Sequence, residues 1–311
     1  MKIVTGNKWI LEAVLFLVAT FAAGAHAFVT NSPKGIVKVQ MHNVLYHFTE
    51  GIAVHIQILQ GELVPANGNA IPVFDDKNSF TLRIAQAEIA ITSASLANVL
   101  NSYVFAQRDA PIKNVSIHVE NEELKVKGKL HSKGDISFEL DGTVAVTGDG
   151  KIRIHPRTIK ALHVPVKGLM DLFGIEVAGL IKGEKVPGVQ AQGDDLILDP
   201  QRTLPPPHIE GKVAQVRLKG QEIVQIFGTP SEADIGAIHE NYMQYRGNRL
   251  RFGKLTMDDT DLTLLDMNPQ DPFDFYLDHY KEQLVAGYTK TTPSFGLRVY
   301  MRDYNKLVHR R

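Results

Sequence analysis

The sequence predicts an α+β, mainly β protein in which a long curved antiparallel sheet wraps two or three amphipathic or apolar helices. Three observations predict it. Period-two alternation recurs along most of the chain and is clearest at Ile136, Phe138, Leu140, Gly142, Val144 and Val146. Strands keep one dry face, as where Leu124, Val126, Gly128 and Leu130 alternate with Lys125, Lys127 and Lys129. One stretch, Ala161 to Pro200, contains a helical pattern too apolar for a surface helix: Val166, Leu169, Met170, Leu172, Phe173, Val177, Leu180 and Ile181 cover more than one stripe. Such a helix needs apolar company on more than one side, which the concave face of a sheet supplies.

In chain order, Val37, Val39 and Met41 alternate, the phase slips at His42-Asn43, and Val44, Tyr46 and Phe48 resume it, which predicts a strand with a bulge. Val54, Ile56 and Ile58 predict the second arm of a hairpin, and the Gly and Pro cluster from Gly61 to Pro72 predicts a loop. Leu82 and Ile84, then Ala87, Ile89 and Ile91, make a long strand with one irregularity. Thr92 or Ser93 caps a helix with Leu96, Val99, Leu100, Tyr103 and Val104 on one face, ended by Asp109-Ala110-Pro111. After the strand pair of Val115 to Leu130, Asp141-Gly142 allows either a tight turn or one long strand bent at the glycine.

Lys151 to Pro156 and Asp195 to Pro200 echo each other as strands stopped by proline. Beyond the rigid Pro205-Pro206-Pro207 joint, Ala214, Val216 and Leu218 predict a strand, and Ile223, Val224 and Phe227 a brief helix stopped by Pro230. Strands are expected at Leu250 to Met257, Leu262 to Leu265 and through Leu297, Val299 and Met301.

The first residues read as an address. Lys2 and Lys8 precede an apolar run from Ala13 to Ala23, and Ala25-His26-Ala27 offers a small-x-small cleavage pattern, so residues 1–27 are expected to be a signal peptide cut after Ala27. The run is shorter than the roughly 20 apolar residues of a membrane span. The expected organisation is then a lipid-binding-like domain at 28–230 with a β-rich extension at 231–311 packed on it. Charge is balanced, with 34 basic and 34 acidic side chains, which argues against a nucleic-acid partner. Cysteine is absent, which excludes disulfides and thiolate metal sites and suits a bacterial periplasm or envelope.

The order of parts also resembles a known family. The capped helix (Ser93 to Phe105), the strand pair, the long alternating strand Ile136 to Val146, Lys151 to Pro156, Leu162-His163-Val164-Pro165 before the greasy helix, Val186-Pro187-Gly188-Val189 and Asp194 to Leu198 resemble the LmeA-like bacterial phospholipid-binding proteins, over roughly residues 80 to 228. That family is related in outline to tubular lipid-binding proteins, whose curved sheet wraps a long helix around acyl chains. The resemblance implies periplasmic binding or shuttling of phospholipid-like or fatty acyl ligands, without catalysis or cofactor. Carried over by helix face, the groove-lining residues are expected to be Leu96, Val99, Leu100, Tyr103, Val104, Val166, Leu169, Met170, Phe173, Val177, Leu180 and Ile181. Expected partners are a lipid or other acyl-chain ligand and a transient membrane-surface contact.

Enzyme motifs fail in turn. His239-Glu240 has Met243 where a zinc-protease helix needs its second histidine, no Gly-x-Ser-x-Gly elbow occurs, and each Gly-Lys pair is followed by Leu, Ile or Val. His42, His47 and His55 gather on the predicted hairpin, but no carboxylate pattern completes a metal site, so hydrogen-bonded histidines are expected. The run Asp258-Asp259-Thr260-Asp261 lacks the glycine and distal glutamate of a calcium loop. The competing expectation is a β-rich structural or assembly module of the envelope whose own side chains fill its hollow, with an uncharacterised hydrolase third.

Overall fold

Three long strands begin the fold, β1 (Val37–Thr49), β2 (Ile52–Pro65) and β3 (Phe80–Thr92), each antiparallel to the next. Helix α1 (Ser93–Val99) follows at once and continues as a π-wound turn over Leu100–Val104. A second meander comes next: β4 (Ile112–Glu120), β5 (Glu123–His131), β6 (Asp135–Val146) and β7 (Ile152–Ala161), then β8 (Val164–Pro165), β9 (Val189–Gln192) and β10 (Asp195–Leu198). Past the single turn α2 (Pro200–Thr203) come β11 (His208–Glu210), β12 (Val213–Lys219) and β13 (Glu222–Phe227). The remaining elements are β14 (Tyr242–Gly247), the small hairpin β15 (Leu250–Phe252) and β16 (Leu255–Met257), β17 (Thr260–Asp266), β18 (Phe273–Tyr276), α3 (Tyr280–Val285), β19 (Tyr288–Thr291) and β20 (Leu297–Met301). The computed structural model describes residues 35–66, 71–131, 135–161, 164–165, 167, 186–230 and 240–307. The predicted signal peptide, and the apolar stretch with Val166, Leu169, Met170, Leu172, Phe173, Val177, Leu180 and Ile181, lie outside the described residues.

The described strands form two large sheets and the small hairpin. One runs β12-β13-β3-β2-β1-β14-β17-β20-β19, with β11 parallel to β3 and β18 parallel to β1. The other runs β4-β5-β6-β7-β10-β9, with β8 on β7. The fold is therefore mainly β and antiparallel-dominated, as the alternation predicts. Residues from Tyr242 onward join the same sheet as β1, through β14 and β18. The two sheets share one continuous apolar core, and α1 packs against both.

Each of the first three strands switches its inward phase once. In β1 the buried set is Val37, Val39 and Met41, then Val44, Tyr46 and Phe48. The switch falls on Asn43, whose φ of 50° is left-handed, a conformation Asn tolerates better than most residues. In β2 the inner residues are Val54 and Ile56, then Leu59 and Leu63, and the pairing with β3 shifts between Ile56 and Ile58 and again between Gln60 and Gly61. In β3 they are Leu82 and Ile84, then Ala87 and Ile91. A one-residue slip would normally turn a strand's apolar set outward. Here the neighbouring strands slip together and the apolar face stays continuous.

Side chains replace missing ladder bonds where strands bulge or end. Asn101 of the π turn donates to Val115 O at 2.8 Å and accepts from Val115 N at 2.9 Å, beside the irregularity in β4. Gln221, in the β12–β13 turn, donates to Val119 O at 2.7 Å and accepts from Val119 N at 3.1 Å, which ties the first sheet to an edge strand of the second. The helix N-terminus is capped by Thr92, whose hydroxyl accepts from Ser95 N at 3.1 Å.

Several expectations need correction. Glu222–Phe227 is a strand and not a brief helix: Ile223, Gln225 and Phe227 alternate inward and the segment pairs with β3 along its length. Apolar residues at 223, 224 and 227 also fit a helical face, and sheet pairing overrides that local pattern. The predicted loop from Gly61 starts later, because β2 runs through Gly61 to Pro65. Gly61 lies inside the strand because a Cβ there would run into the Arg83 carbonyl. Pro156 does not stop β7, which runs to Ala161. It sits opposite Gly142 at a register shift, and Asp135–Val146 is one continuous strand and not a tight turn. The echoing segments Lys151 to Pro156 and Asp195 to Pro200 are neighbours, with Leu196 facing Ile154 across the β7–β10 ladder.

Gly61→Ala should destabilise the protein by about 2 kcal/mol or more, since backbone of β3 must move to admit one methyl group. Gly148→Ala, where a Cβ meets nothing within 4 Å, should leave the urea midpoint nearly unchanged. Equal midpoints for the two variants would contradict the assigned β2–β3 register.

Candidate functional site

The inner face of the first sheet borders an apolar cavity of about 70 Å³. Its walls are Met41, Tyr46 and Phe48 of β1, Val54, Ile56, Leu59 and Leu63 of β2, Leu82, Ile84, Ile89 and Ile91 of β3, and Gln225 and Phe227 of β13. Phe74, Phe80, Leu204, Pro207, Ile209, Tyr245 and Leu277 complete it among the described residues. Residues on both sides of the phase switch thus meet in one lining. A cavity needs about 10–15 Å³ to hold one water, so there is room for more than one, yet its walls offer few polar partners.

Two smaller cavities of about 40 Å³ each continue the line. One lies between α1 and the second sheet, lined by Leu96, Leu100, Phe105, Ile117, Phe138, Leu140 and Val189 among others. The other lies between them, sharing Ile91, Leu204 and Gln225 with the first cavity and Leu96, Leu124, Ile154 and Leu198 with the second. The three therefore form a string from the β1–β3 wall to the second sheet. No Asp, Glu, Lys, Arg or His stands on these walls among the described residues.

Of the residues expected to line a groove, Leu96 and Leu100 stand on cavity walls. Val99 and Val104 are buried in the surrounding core, and Tyr103 is 40% exposed and on none of the three walls. The cause is the π turn. Phe105 N donates to Leu100 O at 2.7 Å, so the winding after Leu100 closes over five residues and brings Phe105, not Tyr103, onto the wall. Val166, Leu169, Met170, Phe173, Val177, Leu180 and Ile181 lie outside the described residues.

Sequence reasoning misses Gln225. Its side chain is 9% exposed, it shares the inward face with Ile223 and Phe227, and it stands on the walls of both the first and the third cavity. It has no hydrogen-bond partner among the described residues, whereas Thr203 nearby donates to Asp199 O at 3.0 Å. The missed signal is the period-two spacing of Ile223, Gln225 and Phe227. Burial also raises the Tyr46 and Tyr245 phenols above their ordinary range, so both stay neutral on the first cavity's wall.

The histidines of the β1–β2 hairpin turn to separate partners. His42 Nδ1 lies 3.0 Å from Glu240 O, His55 Nε2 lies 2.8 Å from Asn43 Oδ1, and His47 Nε2 lies 2.6 Å from Asp274 Oδ1. Among the described residues no group of three or more His, Asp or Glu side chains converges as metal ligands would. Asp258 and Asp261 face Arg249 and Arg246, at 2.6 and 3.4 Å. The His55 contact belongs to a polar chain, in which Asn43 donates to Asn241 Oδ1 at 2.8 Å and Asn241 donates to Asp266 Oδ2 at 3.0 Å. Burial pushes the Asp266 carboxyl up.

Comparison with protein-family models, with curated proteins and with solved structures finds no match for this chain.

Burial is also the largest influence on His55 and holds its pKa below the ordinary 6.5. The unfolded chain then binds a proton at a pH where the folded one refuses it, so His55's contribution is complete above about pH 6.5 and is lost as pH falls below that value. Chemical-denaturation midpoints of the wild type and His55→Gln should accordingly converge on acidification across that window. A constant difference between them at all pH values would refute the assignment.

Proposed function

We propose that this chain is an exported envelope protein that binds phospholipid-like or fatty acyl chains in the string of apolar cavities and shuttles them, without catalysis. In this reading the two sheets curve around apolar helices and the ligand's chain lies along the α1 face. The observation that carries it is the cavity string: three neighbouring spaces that share wall residues, with largely aliphatic and aromatic walls and no charged lining among the described residues. An unfilled apolar cavity of 70 Å³ costs about 1.7 kcal/mol at roughly 24 cal/mol per Å³. Each CH₂ transferred from water contributes about 0.8 kcal/mol, so a short length of chain offsets that cost. The resemblance drawn from the sequence supports the same ligand class, and the expected leader supports export. Among the described residues no helix is long and apolar enough to cross a membrane.

A structural or assembly role is the second reading. It draws on β19 at the end of the first sheet, all of whose residues are exposed, and on Phe295 beside it, 91% exposed. An exposed strand edge is a template for pairing with another chain.

Native mass spectrometry of the purified protein, with solvent extraction, should reveal a stoichiometric lipid. Ile91→Phe puts a larger side chain between the first and third cavities and should reduce uptake of a fluorescent fatty chain about tenfold or more, at a stability cost of about 1–3 kcal/mol that leaves the protein folded. A lipid-free protein that also takes up no fluorescent chain would exclude the lipid reading. A complex with envelope proteins that survives lipid depletion would favour the second.

A further inference from the structure

We infer that the Gln225 amide selects an uncharged lipid oxygen, so that the ligand class is a neutral chain bearing a hydroxyl or ester group and not an ionised amphiphile. This rests on the acyl-chain reading above and narrows it, setting aside ligands whose phosphate or carboxylate would enter the cavities. Gln225 is the polar side chain common to the first and third cavities, it is more than nine-tenths buried, and it has no hydrogen-bond partner among the described residues. Its position is fixed by backbone. β13 pairs with β3 at Gln225↔Ile89, and Ile223 and Phe227 on either side project to the same face.

An amide brings two N–H donors and one carbonyl acceptor. A hydroxyl, which both donates and accepts, satisfies both ends of it, and an ester carbonyl satisfies the donors. An ionised carboxylate or phosphate could use the donors alone. Its charge would lie among walls with no cation among the described residues, where desolvation is unfavourable. The Tyr46 and Tyr245 phenols on the first cavity's wall are neutral and add no positive charge. A fully hydrocarbon ligand would leave the amide unpaired. Polar sites of this kind discriminate strongly against analogues lacking the matching group.

The test uses the purified full chain loaded with the uncharged fluorophore N-phenyl-1-naphthylamine, displaced by ligands of equal chain length at about pH 8, where a carboxylate is ionised. Dodecanol and methyl laurate should displace the probe at concentrations about tenfold or more below those needed for dodecane or laurate. Gln225→Leu, or Gln225→Met as a second near-isosteric change, should bring dodecanol to the level of dodecane and leave dodecane itself as effective as before. Laurate as the best ligand, equal displacement by dodecanol and dodecane in the wild type, or a dodecanol preference that survives both substitutions would each overturn the inference while leaving acyl-chain binding intact. Failure of the probe and of every chain to bind would overturn the acyl-chain reading as well. The wild-type ranking decides the matter even if neither variant folds.

Discussion

A β-strand that gains one residue presents its apolar side chains to the opposite face, and three adjacent strands of this protein each do so near mid-length. The penalty is avoided because the gains are matched. Asn43 takes a left-handed conformation in β1, β2 switches from Ile56 to Leu59 at the same level, and β3 switches from Ile84 to Ala87. Had one strand kept strict alternation, half of its apolar residues would face water. The continuous lining of the first cavity, with Met41 and Tyr46, Ile56 and Leu59, and Ile84 and Ile91 in one wall, depends on this matching.

The position of the switch also decides what joins β1 on its outer side. Up to His42 its partner is β14, and from Val44 it is β18, running parallel. Asn43 stands between the two and spends its side chain on holding them: its carbonyl faces His55 on β2 and its amide faces Asn241, just before β14. Asn241 in turn reaches Asp266 at the end of β17 and the Asp271 carbonyl. One kinked residue thus connects four segments far apart in sequence. Asn241 and Asp266, the buried end of this chain, are shielded from water, so their hydrogen bond is stronger there and an unpaired member would be more costly.

The phase slips of β1 and β3 are legible because most of the large apolar residues keep to one side in each half. That of β2 is not, since Ile58 and Leu59 are both apolar and either could continue the pattern from Ile56. The strand at Glu222–Phe227 was obscured for a related reason. Its inward residues include Gln225, so a hydrophobicity pattern skips the position and finds Ile223, Val224 and Phe227 at helical spacing instead. The polar residue that hid the strand is also the one that gives the cavity string its chemistry. Tyr103 was misplaced because a π turn obeys a five-residue closure that ordinary helical spacing does not anticipate. Gly61 and Pro156 look like breakers on general grounds, whereas each sits at a register shift against a specific residue of the neighbouring strand, a pairing that local pattern does not reveal.

The C-terminal part gains its meaning from the same wall. The sequence marks it off as a β-rich extension, and nothing in its alternation tells that β17 and β20 run parallel or that β18 returns to β1. Yet Tyr245 and Leu277 stand on the first cavity's lining, and Phe74 beside them packs on Tyr245, Phe252, Phe275 and Tyr280 at centroid distances of 4.9–6.0 Å. These rings bury large apolar areas in edge-on contacts and cover the end of the hollow that β1 to β3 leave open. Tyr280 also reaches Asp75 at 3.1 Å, which fastens the turn carrying Phe74 to α3. The tail is therefore part of the enclosure: without β14 and β18 the outer side of β1 would be an unpaired edge, and the phase switch that aligns the cavity wall would lose the contacts that hold Asn43 in place.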